Sequence, residues 1–161
     1  MMHRLFWGLF FVLLDLNITV GRATFEILPD FAGFFLLMKG MEELSDSIPR
    51  FEKSRHGAFG AFLVSTIVYG AGLLNQEAMT GVWLWVLELG CLAIFLWLLR
   101  QITRDMSAEI KGLPMIVAVV QILSHVLGWV PLIGSVCTVA STVVSAVFLL
   151  CFWKEMKKGA A

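Results

Sequence analysis

Charge is what this sequence has least of. Only 15% of its 161 residues are Asp, Glu, Lys or Arg, against roughly a quarter in an ordinary soluble domain. The 12 basic and 12 acidic residues cancel, so no bulk positive charge draws a nucleic-acid backbone. Cysteine is scarce too. Cys91, Cys137 and Cys151 all lie in apolar runs, and an odd number of such thiols does not make a disulfide framework. They read as small packing residues. There is no C-x-x-C or H-E-x-x-H pattern, so neither a metal site nor a cofactor is expected. A nucleophile elbow is missing, as is the G-x-G-D signature of aspartyl intramembrane proteases. What fills the chain instead is apolar: 59% of residues are hydrophobic and the mean hydropathy is +0.87. This excludes a disordered chain and a water-soluble enzyme. The expectation is an all-α, polytopic integral membrane protein, without catalytic function, held as one domain in the lipid bilayer.

A membrane span needs about 20 mostly apolar residues to cross about 30 Å of hydrocarbon. The longest charge-free stretch is 112–153. As one helix it would be about 63 Å long, twice that thickness. It must fold back, and Gly128-Trp129-Val130-Pro131 is the natural turn, since Pro suits the first turn of a helix. This predicts spans at 113–129 and 131–153. Three more fall at 5–20, 57–75 and 81–99. A weaker one falls at 27–41, crossing with Lys39 snorkelling or forming a re-entrant segment. The run after Arg4 imitates a signal peptide, but Asp15 and Asn17 follow it without a convincing cleavage site; a retained helix is expected.

The charges orient this arrangement. With six spans, every Lys and Arg except Arg22 falls on one side. The positive-inside rule makes that side cytoplasmic, with both termini on it. Trp7, Trp97 and Trp153 then lie near inner ends of spans, and Trp83, Trp85 and Trp129 near outer ends, as an aromatic belt requires. Cys137, Ser141 and Ser145, and likewise Ala61 and Ser65, recur every four residues. Such small residues let helices approach closely in lipid, and packing within the chain is preferred over an oligomer seam.

Polar groups inside hydrocarbon are costly and face a bundle interior or a wet cavity. On the six-span topology they gather in the outer half: Asp15, Asn17, Arg22, Glu26, Asp30, Tyr69, Glu88, Gln121 and His125. Together they outline an outward-facing pocket. Each has a structural reading as well. Asp30 would cap a helix start, Arg22 would pair with Asp15 or Glu26, and His125 would be a satisfied core histidine. Glu88 is hardest to dismiss, because its helix is otherwise apolar. The loop 42–56 mixes charges and reads as a solvated linker or a docking surface for a protein partner.

Asp15-Leu16-Asn17, Ile27-Leu28-Pro29-Asp30-Phe31-Ala32-Gly33 and Gly40-Met41-Glu42-Glu43-Leu44 resemble the N-terminal signature of a family of small multi-pass membrane proteins from Firmicutes. The resemblance covers roughly 8–45. It implies a bacterial plasma-membrane setting and a joint role for Asp15, Asn17, Pro29, Asp30 and Gly33; it implies no reaction. In size and layout the chain is also similar to the substrate-binding subunits of energy-coupling-factor vitamin transporters. Their A-x-x-x-A patch on the first helix has no counterpart here, since 5–20 contains no alanine.

Two functions follow as expectations. One is binding or transport of a small polar or cationic solute, with Asp15, Asp30 and Glu88 supplying negative field and His125 able to change charge near neutral pH. The other is a non-catalytic accessory, assembly or sensor subunit working through 42–56 and the C-terminal tail. An intramembrane enzyme using Asp15 and Asp30, or His125 as base, has no motif behind it.

Overall fold

Apolar residues at three- and four-residue spacing put a stripe on one side of a helix, and this pattern builds the structure. The computed structural model describes residues 2–14, 17–20, 23–26, 29–74, 82–104, 106, 112–127 and 130–159. Within them lie α1 (Met2–Leu13), β1 (Asn17–Val20), β2 (Ala23–Glu26), α2 (Asp30–Leu44), α3 (Arg50–Leu74), α4 (Val82–Thr103), α5 (Leu113–Leu127) and α6 (Pro131–Gly159). The chain divides into two compact units, Met1–Gln101 and Ile102–Ala161.

In the first unit α1 and α2 lie antiparallel, in closest approach at three glycines. A Cβ on Gly8 would sit 2.8 Å from the Leu37 backbone nitrogen and 2.9 Å from the Gly33 carbonyl. A Cβ on Gly40 would meet Leu5 at 2.8 Å. Leu5, Leu9 and Leu13 on α1 and Phe34, Leu37 and Met41 on α2 are buried along this seam. Next, α3 runs antiparallel to α2, with Phe35 against Phe62 and Phe31 against Tyr69. Its buried stripe is Phe51, Ser54, Ala58, Ala61 and Ser65. The Ser65 hydroxyl donates to the Ala61 carbonyl at 2.7 Å, so it stays satisfied without a partner on another helix.

Against these, α4 is seated through larger side chains. Trp97 covers Gly57, Phe95 meets Phe34, and the Arg50 side chain donates to the Gln101 carbonyl at 3.2 Å. These pairs make α4 antiparallel to α3 and parallel to α2.

The second unit is a helical hairpin. The Gln121 amide donates to the Ser145 hydroxyl at 3.5 Å, and the Ser124 and Thr138 hydroxyls lie 3.4 Å apart. On α6, Ser141, Ser145, Phe148, Leu149, Phe152 and Met156 are buried. Outward lie Val136, Val139, Val143, Val147 and Leu150, an exposed and wholly apolar row. Among the described residues, two helical segments are long and apolar enough to cross a membrane: Trp85–Thr103 and Ile133–Lys158. Only 28% of each such stretch is buried, whereas the core helix of a soluble protein buries most of its surface.

The sequence reading needs three corrections. The span expected at 5–20 ends as a helix at Leu13, and 17–20 is a strand. Asn17-Ile18-Thr19-Val20 and Ala23-Thr24-Phe25-Glu26 are rich in β-branched and aromatic residues and pair antiparallel, with Val20 opposite Ala23. The expected all-α fold therefore carries one short antiparallel ribbon. Secondly, the expected loop 42–56 is mostly helix: α2 continues to Leu44 and α3 begins at Arg50. Its charges decorate exposed faces, while Phe51 and Ser54 continue the buried stripe. Thirdly, the helix expected at 131–153 continues to Gly159. Lys157 and Lys158 lie in its last turn, where cations favour the dipole.

Candidate functional site

The start of α2 collects three of the anticipated polar residues. Pro29 occupies the N-cap position with extended backbone (φ −66, ψ 129) and no side-chain cap hydrogen bond. Asp30 is thus the first helical residue rather than the cap, in the first turn where a carboxylate favours the helix dipole. One residue on, Phe31 packs against the Tyr69 ring, with centroids 5.3 Å apart and planes at 59°. The pairing brings the C-terminal part of α3 to this end of α2. From α4, Glu88 and Cys91 project from adjacent turns. Both Asp30 and Glu88 act electrostatically on the Cys91 thiol. Carboxylates from two different helices thus act on one half-buried thiol, and the Tyr69 ring lies against Phe31, the residue after Asp30. Cys91, read from sequence as packing, is half-buried and within electrostatic range of both acids. No spacing rule could have found it, because the link depends on how α2 is registered against α4.

The other anticipated residues lie on other elements. Gln121 and His125 are on α5 in the second unit, where Gln121 is spent on the α5–α6 contact. His125 is half-buried in the last turn of α5. Asn17 is on β1, opposite Glu26. Asp15 and Arg22 lie outside the described residues. The described members of the expected nine-residue pocket thus fall in two groups, one in each unit. Among the described residues no group of three His, Cys, Asp or Glu side chains is placed to hold a metal ion.

A second polar place occupies the opposite end of the first unit. Arg4 on α1 pairs with Glu43 on α2. Lys39 pairs with Glu42 at 2.8 Å, one turn apart. Beside them a cleft of about 210 Å³ is lined by Met38, Lys39, Glu42, Arg55, His56 and Phe59. The Lys39 ammonium, hydrogen-bonded to Glu42 and attracting it through space, holds that carboxyl below its ordinary value, and Arg55 adds a smaller pull. This cleft was hidden in sequence by the apparent loop. Once α3 is seen to start at Arg50, Arg55 and His56 fall on a helical wall of this cleft.

The two places are separated by an uncharged belt. Along α3 no charged residue occurs from Gly57 to Leu74. Along α4, Glu88 and Arg100 are about 18 Å apart at 1.5 Å per residue. No family model, curated protein or solved structure matches this chain.

Proposed function

We propose that this is a small multi-pass protein of a bacterial plasma membrane, crossing it with six helices and both termini inside. We further propose that the carboxylates at the start of α2 and on α4 receive a small cationic or zwitterionic solute from outside. The observation that carries the binding reading is Glu88 on the otherwise apolar α4, with Asp30 in the first turn of α2.

Depth supports a functional rather than an incidental carboxylate. With Arg100 at the inner boundary, Glu88 lies about 18 Å up a hydrocarbon core of about 30 Å. A carboxylate held at that depth is costly, and it is retained where it meets a partner or a wet cavity. Tyr69 adds a phenol that can donate or accept. The helices α1 and α2, about 18 and 22 Å long, are shorter than that hydrocarbon core and would cross it together with the flanking segments of the chain. The ribbon between them has open edges and belongs at the outer aqueous interface, since unpaired strand edges are not tolerated in lipid. The bacterial setting comes from the Firmicutes resemblance; of the residues it singles out, Pro29 and Asp30 begin α2 and Gly33 meets α1.

The test is a thermal-shift screen of purified protein against amines, amino acids and other small polar solutes, repeated on Glu88→Gln. A stabilising cationic or zwitterionic solute whose effect is lost in Glu88→Gln supports the site. Silence across the panel, together with unchanged uptake in Glu88→Gln cells, refutes it.

The cleft at the inner end supports a second reading, an accessory subunit that docks a partner there. A clean monomer after mild detergent extraction would count against it.

A further inference from the structure

We propose that the cleft between the end of α2 and the start of α3 is a binding site for an anionic phospholipid headgroup of the inner leaflet. The inference rests on the membrane reading above, but not on the solute site.

Position is the first argument. Arg55 and His56 are the last charged or titratable side chains of α3 before its uncharged stretch begins at Gly57. Lys39 is in the same relation to the apolar part of α2. The cleft therefore lies at the level where charge gives way to hydrocarbon, and a phospholipid presents its phosphate at that level.

Charge is the second. Lys39 and Arg55 face Glu42 alone among the carboxylates lining the cleft. Glu42 is paired to Lys39, and among the described residues no carboxylate lies within ion-pair distance of Arg55. The excess is positive, with five guanidinium N–H donors to offer a phosphate. His56 adds a further donor on the same wall.

The third argument is the surface leading away from the cleft. Phe59 lines it and is 45% exposed, and Phe35 is 42% exposed. Phe59 stacks on Phe62 with centroids 6.3 Å apart, and Phe62 meets Phe35 at 5.8 Å. Leu63 and Ile67 continue the exposed apolar row up α3. A cationic mouth opening onto such a row fits a headgroup with an acyl chain attached. A free anion has no use for the row. Basic pockets between helices on the cytoplasmic side are a recurrent site for acidic lipids.

Native mass spectrometry of the full chain in detergent tests this. Phosphatidylglycerol and phosphatidylcholine with identical acyl chains would compete, with inorganic phosphate as a separate arm. Wild type should retain phosphatidylglycerol preferentially. Removing one cation, by Arg55→Ala or Lys39→Ala, should weaken retention about fivefold, and removing both about thirtyfold. Arg55→Lys keeps the charge and should keep most of the preference, which controls for misfolding. Equal retention of the two lipids, or wild-type preference in the double variant, overturns the site. So does displacement of the lipid by millimolar inorganic phosphate, which would reassign the cleft to a free anion. An alkaline carbonate wash separates the two readings. A chain released by the wash that still selects phosphatidylglycerol contradicts the membrane reading alone. A chain that stays in the membrane without headgroup preference contradicts the lipid site alone.

Discussion

The two units close their helix pairs by opposite means. Between α1 and α2 side chains are removed: Gly8, Gly33 and Gly40 let backbones meet, and a Cβ on Gly8 or Gly33 would strike backbone atoms of the facing helix at 3.0 Å or less. Between α5 and α6 side chains are kept and joined, through Gln121 to Ser145 and Ser124 beside Thr138. Lipid tails are as apolar as leucine, so burial alone does not pull helices together in a bilayer. On the proposed membrane reading, close packing and interhelical hydrogen bonds are the forces available. Packing is the stronger of the two here. Bonds at 3.4–3.5 Å are at the long limit for such donors.

That ranking can be broken by substitution, with unfolding in detergent as the measurement. The largest loss is expected for Leu37→Ala, a fully buried side chain on the α1–α2 seam: about 2–5 kcal/mol. Gly8→Ala comes next, at about 1–3 kcal/mol, because the facing backbone cannot yield. Gln121→Leu should cost under about 1 kcal/mol, the scale of one interhelical bond in a membrane. If Gln121→Leu proved as damaging as Gly8→Ala, the contrast between the units would be wrong. The smallest effect belongs to the exposed Lys39–Glu42 pair. The Glu42 carboxyl is held below its ordinary value by Lys39, so its contribution is fully present above that ordinary value. It is lost as pH falls through the lowered folded value. Wild type and Glu42→Gln should therefore differ slightly at neutral pH and converge under acid or high salt.

Much of the helical layout was legible because its signals are local. The fold-back at Pro131 and the start at Leu113 follow from a charge-free stretch too long for one span, and both are observed. The end of α1 was misjudged because the apolar count runs on through Leu14 and Leu16, while Asn17–Val20 favours a strand. The supposed loop 42–56 was misjudged because charge density was taken for solvation. A helix needs only one apolar stripe, and Phe51, Ser54 and Ala58 supply it. The site was legible in part. Asp30, Tyr69 and Glu88 stood out as polar residues in apolar surroundings. That Asp30 acts on Cys91 depends on the α2–α4 register, set by contacts such as Phe34 with Phe95, which no window of sequence contains.

The account depends most on α3 crossing the bilayer with its charged start inside. Single cysteines at Ser47 and Gln76, which bracket α3, test this in a background where Cys91, Cys137 and Cys151 are replaced by Ser. An impermeant maleimide applied to intact cells should label Gln76→Cys at once and Ser47→Cys only after permeabilisation. Labelling of both positions from the same side would contradict the account.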